Sequence, residues 1–463
     1  MSVTHYLLKL FLLVMGFFML QNSASATHLM GGETKYVYLG ALGSPSTPFR
    51  YRVTFDIYYN CPGSGVASPP NSITVSFWDK TTGAWIKNVN YSNNITPQPI
   101  SAPLPPGCVI PGLQSCIILK RFEGIVDLPL SFDGYYATYY QGNRNNGINN
   151  LANSGGQYQT FYIEMSPPLL QNSSPAFADT AVAVMCQGDT LTIFNTAVDP
   201  DGDRLIYSFK TPYSQVINGS FGNTFAPPPS PVNYASNYSF ANPFGPGGFA
   251  SINGSTGTTR YYSPTTGNFV LSFEVKEYRK FGEIEIEVGS TRREIQLLVA
   301  SCPPNPIPTF TSLSSSGTTV YTIEEGDQLS VNFGLTDASV PAQQVLLVAE
   351  SSLLDSIGGY NASFNGSQMN KSFIQGTGSL TSNFQFTSRC GEAGTYFVRL
   401  RAQDFGCPPK QNSHTLQINV TTFQGPQQIF GEDTICSGNL TQTYHISGTS
   451  ASSYNWSVTN GTI

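Results

Sequence analysis

"FRYRVTFDIYYNC", residues 49–61, decides the fold. Tyr51, Val53, Phe55, Ile57 and Tyr59 fall on one side of it, and Arg52, Thr54, Asp56 and Asn60 on the other. This is the period of two of a half-buried β-strand, because successive side chains on a pleated backbone point to opposite faces. The alternation recurs in "SITVSFW" (72–78) through Ile73, Val75 and Phe77, and in "NFVLSFEVKEY" (268–278) through Phe269, Leu271, Phe273 and Val275. "YFVRLRA" (396–402) carries it through Tyr396, Val398, Leu400 and Ala402. Beyond the N-terminus no stretch has helical periodicity, so the chain reads as all-β.

The N-terminus, "MSVTHYLLKLFLLVMGFFMLQNSASA" (1–26), has one Lys at position 9, an apolar run from Leu10 to Leu20 and small residues ending Ala24-Ser25-Ala26. That layout predicts a cleaved secretory signal peptide, and the run is too short for a secure membrane span. The mature chain is therefore expected outside the cytoplasm, without a span of its own. Charged residues make up 11 % of the sequence, against roughly 25 % in ordinary globular proteins, so its surface is polar but weakly charged. The net charge is −6, with no basic block, which argues against nucleic acid as a partner, since phosphate binding needs clustered Lys and Arg. After the signal only His28, His414 and His445 remain, too few and too scattered for a zinc centre or a His-dependent triad. No nucleophile elbow or phosphate loop is present either. No enzyme is expected in this segment.

Internal repeats set the organisation. "MCQGDTLTIFNTAVD" (185–199), "IEEGDQLSVNFGLTD" (323–337) and "ICSGNLTQTYHI" (435–446) align, and in the first two an acid, Asp199 or Asp337, follows the shared Gly at the same spacing. Each of these units closes with a strand ending in an acid, Glu277 or Asp404, and one further strand. Tandem Ig-like or cadherin-like β-sandwiches follow. Pro-rich breaks divide the chain into a signal (1–26), an N-terminal β domain (27–165), a cadherin/Ig-like sandwich (166–303), an Ig-like sandwich (304–421) and the start of a truncated module (422–463). The last piece is too short to bury a core alone, and a longer natural chain is expected.

Eight cysteines in an exported chain predict disulfides. Cys186 and Cys302 end strands expected to lie side by side in parallel, which suits a Cys186–Cys302 bridge. Cys108 and Cys116 flank a short loop and form a second expected pair; Cys390 and Cys407 form a third. Cys61 has no evident mate, and that of Cys436 is expected beyond the end of the chain.

Two stretches carry candidate sites. In "NTAVDPDGDRLIYSFKTP" (195–212), Asp199, Asp201 and Asp203 alternate around a Pro and a Gly. With Glu277 brought to the same end of a sandwich they would supply oxygens of the kind Ca²⁺ takes. The competing reading is a plain Pro-Asp-Gly turn between strands. In "FDGYYATYYQGNRNNG" (132–147), Tyr135, Tyr136, Tyr139 and Tyr140 lie near Asn and Arg144, the mixture of rings and amides that contacts glycans. The competing reading is a strand with its core side chains.

"ATHLMGGETKYVYLG" (26–40), "YRVTFDIYYNC", "DPDGDRLIYSF" (199–209), "FVLSFEVKEYRKFGEIEIEVGSTRREIQLLVASC" (269–302) and "DTICSGNLTQTYHISGTSASSYNWSVTNGTI" (433–463), in that order, resemble large surface proteins of gliding and related Bacteroidota. These are the gliding-motility-associated type with PKD domains. The resemblance implies PKD-like sandwiches in a protein delivered to the cell surface by the type IX system, acting in adhesion or motility on surface glycans or proteins. It also implies an alternative, a carbohydrate-binding accessory protein of a polysaccharide-degrading system.

Overall fold

The computed structural model describes residues 29–61, 68–99, 108, 110, 117–177, 184–214, 228–355, 358–423, 429–431, 443–446 and 457. The expected signal peptide, Cys116 and Cys436 lie outside the described residues, as does most of 422–463. Regular structure among the described residues is strand, with three short 3-10 turns. The chain is all-β, as its alternation requires. No helix among the described residues is long and apolar enough to cross a membrane.

In chain order the strands up to Ala300 are β1 (Leu29–Gly40), β2 (Phe49–Asn60), β3 (Ser72–Asp79), β4 (Trp85–Ser92), β5 (Gln98–Pro99), β6 (Ile117–Leu128), β7 (Tyr135–Gln141), β8 (Gln159–Met165), β9 (Ala176–Phe177), β10 (Val184–Cys186), β11 (Thr190–Phe194), β12 (Ala197–Val198), β13 (Arg204–Lys210), β14 (Phe249–Ile252), β15 (Thr258–Tyr262), β16 (Gly267–Phe281) and β17 (Ile284–Ala300). The remainder are β18 (Thr309–Thr311), β19 (Thr318–Glu324), β20 (Gln328–Thr336), β21 (Gln344–Glu350), β22 (Asn361–Phe364), β23 (Ser372–Thr377), β24 (Ser379–Thr387), β25 (Gly394–Asp404) and β26 (Gln411–Thr421), with a two-residue ladder joining Ile429–Phe430 to His445–Ile446. Two compact units result: the first runs to Ser301 apart from 104–110 and 191–194, which group with the second, and the second begins at Cys302.

In the first unit β2 does what its alternation predicts. Tyr51, Val53, Phe55, Ile57 and Tyr59 are buried in one core with Ile73, Val75 and Phe77 of β3, Tyr135 of β7 and Phe161 of β8. Each such aromatic or branched side chain contributes about 1.5–3 kcal/mol by leaving water. Arg121 of β6 meets Asp56 on the opposite face of β2 through two hydrogen bonds of 2.6 and 2.8 Å.

A domain boundary at 165/166 was expected; the strand pairing overrides it. β17 pairs with β16 along its whole length, and its other edge takes β1 (Gly31 opposite Ile295), β8 (Ser290 opposite Glu164) and, in parallel, β10. One sheet therefore runs through both expected domains. The Pro-rich stretch at 165–175 interrupts only the local strand pattern, while the backbone hydrogen bonds of a seventeen-residue strand bind what lies on its two sides.

The second unit is a two-sheet sandwich, β18-β20-β24-β22 against β19-β26-β25-β21-β23. Phe333, Leu335, Phe384, Leu347, Leu400 and Ile418 fill its core. The segment from Asn172 to Ala300 repeats part of its pairing plan: β9 pairs β12 as β18 pairs β20, β10 runs parallel to β17 as β19 does to β26, and β13-β16-β17 matches β21-β25-β26.

The cysteines correct two expected pairs. Cys108 is bonded to Cys407, with Cα atoms 5.3 Å apart, so neither Cys108–Cys116 nor Cys390–Cys407 forms. Cys390 and Cys407 lie at opposite ends of β25, roughly 35 Å of extended strand apart, and Cys390 is an exposed free thiol. Cys61, Cys186 and Cys302 are all disulfide-bonded. Cys186 ends β10 opposite Ala300 of β17.

Candidate functional site: an acidic knot at the end of a sandwich

Along β16 the apolar stripe Phe269, Leu271, Phe273, Val275 keeps strict alternation, and the next inward position is Glu277. Its side chain is completely buried. It fits because the residue opposite is Gly289, where a Cβ would come within 2.8 Å of Glu277 Oε1. A register shift between Glu277 and Tyr278 interrupts the ladder, which resumes to Phe281 opposite Ile284, a bulge of the kind that re-aims side chains.

Asp199 follows β12, and the Pro200-Asp201-Gly202 turn, with Gly202 at φ 78°, leads into β13. Asp199 Oδ1 accepts hydrogen bonds from the backbone N–H groups of Asp201 (2.9 Å) and Asp203 (3.0 Å). The expected plain turn is therefore present. Asp199, Asp201 and Asp203 also bring carboxylate oxygens within 4.8 Å of one another.

Two further residues complete the knot. Arg279, two positions beyond Glu277, donates from Nε and Nη2 to Asp203 at 2.8 and 2.6 Å, and Nη2 lies 3.5 Å from Asp201 Oδ2. Its remaining donors go to the Leu170 carbonyl, at 2.7 Å, and to Asn172 Oδ1. Asn172 Nδ2 donates to Glu277 Oε2 at 2.6 Å and to the Tyr36 hydroxyl at 3.0 Å, while the Ser173 N–H donates to Asp201 Oδ2 at 2.6 Å. Three carboxylates, Asp203, Asp201 and Asp199, thus share one guanidinium, and Glu277 is linked to it through Asn172. Two of their oxygens, Asp199 Oδ2 and Glu277 Oε1, are buried with no hydrogen-bond partner. Burial raises the Glu277 carboxyl well above the usual range, and the neighbouring Asp199, Asp203 and Asp201 push it further, against the Asn172 hydrogen bond. Asp199 is raised too, chiefly by burial.

Asp199, Asp201 and Asp203 form an oxygen-donor group of the kind a hard cation takes, and Glu277 lies outside that group. Orphaned buried carboxylate oxygens are costly, and Ca²⁺ takes carboxylate and backbone oxygens. Sequence reasoning named the four acids and missed Arg279 and Asn172. The signal for Asn172 was readable. "NSSPAF" (172–177) and "NPIPTF" (305–310) share N-x-x-P-x-F, and Asn305 holds the corresponding place in the second unit: its Nδ2 donates to Asp404 Oδ2 at 3.0 Å.

The tyrosines of β7 divide by alternation. Tyr135 is fully buried beside Tyr51 (ring centroids 5.8 Å), and Tyr139 stacks on Phe161 at 6.0 Å and packs against the core. Tyr135 is not placed to meet a glycan, which corrects that expectation for it, while Tyr139 is half-buried on the same inward side. Tyr136 and Tyr140 face the other way and are half-buried, Tyr136 stacked on Tyr162 at 5.4 Å with the Lys80 ammonium 5.7 Å above its ring. Arg144 is buried, paired with Glu294 and donating to the Tyr158 carbonyl at 2.9 Å. It is a structural strut.

No protein-family model matches the sequence, and no characterised protein aligns with it significantly. Among solved structures the chain is similar to PapD-like domain 7 of human CEP192, at 12 % identity and TM-score 0.18, over 26 % of this chain and 90 % of that one. It is also similar to cadherin repeats EC21-23 of human CDH23, at 14 % identity and TM-score 0.19, over 59 % and 80 % of the two chains. An endo-fucoidan hydrolase of glycoside hydrolase family 107 matches at 12 % identity and TM-score 0.16, over 71 % and 39 %. Similarity at these levels carries no functional information.

Proposed function

We propose that this chain is an exported, non-catalytic surface protein whose β-sandwiches act as spacer and binding surface, and that Ca²⁺ held by Asp199 and Glu277 locks the end of one of them. The observation that carries the cation is the pair of buried, partnerless oxygens, Asp199 Oδ2 and Glu277 Oε1, in a knot where Arg279 already engages Asp203. A dication would neutralise what one guanidinium leaves over, and its role is structural: it fixes the loops joining β12 to β13 and preceding β9. The disulfides support export, because they persist in oxidising compartments. The sequence resemblance supports the finer reading, a role in surface adhesion or gliding motility after type IX delivery. Thermal unfolding of the full chain with Ca²⁺ and with a chelator tests the cation. A shift to higher temperature with Ca²⁺, abolished in Glu277→Gln, supports it; identical curves in both conditions refute it.

A further inference from the structure

A cavity of about 380 Å³ lies on the outer face of the sheet β18-β20-β24-β22 in the second unit. Along β20, Val331, Phe333 and Leu335 point into the core, while Asn332 and Gly334 point out. At one wall Gly334 lets Thr311 close over the strand: a Cβ there would lie 2.4 Å from Thr311 Oγ1, so the Thr311 side chain takes the space a larger residue would fill. Thr381 stands opposite on β24.

The walls are neutral and fixed. Asn332 and Asn383 face each other across the ladder, and Asn383 Nδ2 donates to Asn332 Oδ1 at 2.8 Å and to Ser330 Oγ at 3.1 Å. Asn365 closes the end: its Oδ1 accepts from the Asn383 N–H at 2.9 Å and its Nδ2 donates to Ser382 Oγ at 3.0 Å. Both Asn365 (φ 46°) and Ser312 (φ 66°) sit in the left-handed region, a conformation that costs free energy for a non-glycine residue and recurs at binding sites. After these bonds the Asn332 Nδ2 amide group, Asn383 Oδ1 and the hydroxyls of Thr311, Ser312 and Thr381 have no partner among the described residues.

We propose that this groove binds a neutral glycan segment. Its free groups offer donors and acceptors interleaved over a short span, matching sugar hydroxyls, which both donate and accept. No ionisable side chain lines it, so a phosphate, sulfate or carboxylate would be desolvated without a counter-charge. An extended peptide fits poorly: the groove lies on the face of the paired strands β20 and β24, and it has no apolar pocket for side chains. The proposal stands apart from the cation at Asp199.

The test uses the full chain over an array of neutral oligosaccharides built from glucose, mannose, xylose and N-acetylglucosamine, with a neutral Gly/Ser/Asn peptide and a sulfated oligosaccharide alongside. The measurement is run both with Ca²⁺ and with chelator, so that loss of the cation and loss of the groove are told apart. Saturable binding to a neutral sugar is expected, unchanged by chelator, weakened about tenfold in Asn383→Ala and abolished in Thr381→Trp, which fills the groove. An unchanged circular dichroism spectrum and melting temperature show that the variants fold. Binding to no neutral sugar, tighter binding to the peptide or sulfated probe, or binding that survives both variants but is lost in Tyr136→Ala would overturn the proposal.

Discussion

In the first unit the acid that continues the core stripe is Glu277; in the second it is Asp404, one methylene shorter, at the end of Val398, Leu400, Ala402. Both are completely buried, and both receive a hydrogen bond from the Asn of N-x-x-P-x-F. There the likeness ends. Asp404 Oδ1 accepts from the N–H groups of Gly406 (3.0 Å) and Lys410 (2.8 Å), and Oδ2 accepts from Asn305. Both of its oxygens are satisfied by the protein. Glu277 keeps one oxygen without a donor, and so does its neighbour Asp199, in a knot with two extra acids and an arginine. The same position in two sandwiches is thus closed by hydrogen bonds in one and left short of positive charge in the other. Asp337 Oδ2 is partnerless as Asp199 Oδ2 is, so the contrast lies in the central acid, Glu277 against Asp404, and a cation is expected only where both acids of the pair keep an open oxygen.

Arg279→Leu should break the comparison most severely. It leaves the buried Asp203 carboxylate without its bidentate partner, and losing one member of a buried pair costs about 3–5 kcal/mol. Denaturant unfolding should show that loss in the first unit, with Ca²⁺ recovering part of it. Asn305→Ala is the counterpart in the second unit. It strips Asp404 Oδ2 of its donor and also removes a 2.9 Å bond to the Pro408 carbonyl, at a cost of about 2–3 kcal/mol, and Ca²⁺ should restore none of it.

The pH dependence sharpens the contrast. Glu277 and Asp199 have folded-state pKa values raised above their unfolded ones, so without cation their contribution to stability is fullest at acid pH. It is lost as pH rises from the ordinary carboxylate range through the raised values. Ca²⁺ should flatten that slope. In the second unit burial holds His414 at about 4, its Nε2 2.8 Å from Thr319 Oγ1. Its contribution, on the order of 3 kcal/mol, is present above about 6.5 and lost as pH falls toward about 4. Melting curves between these limits, repeated on His414→Gln, separate the two slopes. The smallest effect belongs to Asp337→Asn: Oδ1 accepts from the Ser339 N–H at 2.8 Å while Oδ2 is partnerless. The amide keeps the one bond made, and stability should stay within about 0.5 kcal/mol.

Local pattern made much of this legible. Alternation in 49–61 and 268–278 located strands and their inward faces, and the same rule, applied through 277, places Glu277 inside and divides Tyr135 and Tyr139 from Tyr136 and Tyr140. The Asp-Pro-Asp-Gly-Asp run was visible as both turn and acid cluster, and it is both. What escaped depends on distance along the chain. Nothing near Gly31 announces that it pairs with Ile295, which is why two expected domains are one unit. Nothing near Cys108 announces Cys407, 299 residues away. Arg279 shows its role only once β13 returns beside β16 and brings Asp203 to it.

Equilibrium dialysis against radioactive calcium tests the central claim most directly. Wild-type chain should hold one tightly bound ion, retained in Asp337→Asn and lost in the Asp199→Asn/Glu277→Gln double variant. A wild-type chain that holds none, or a double variant that still holds the ion, would contradict the account.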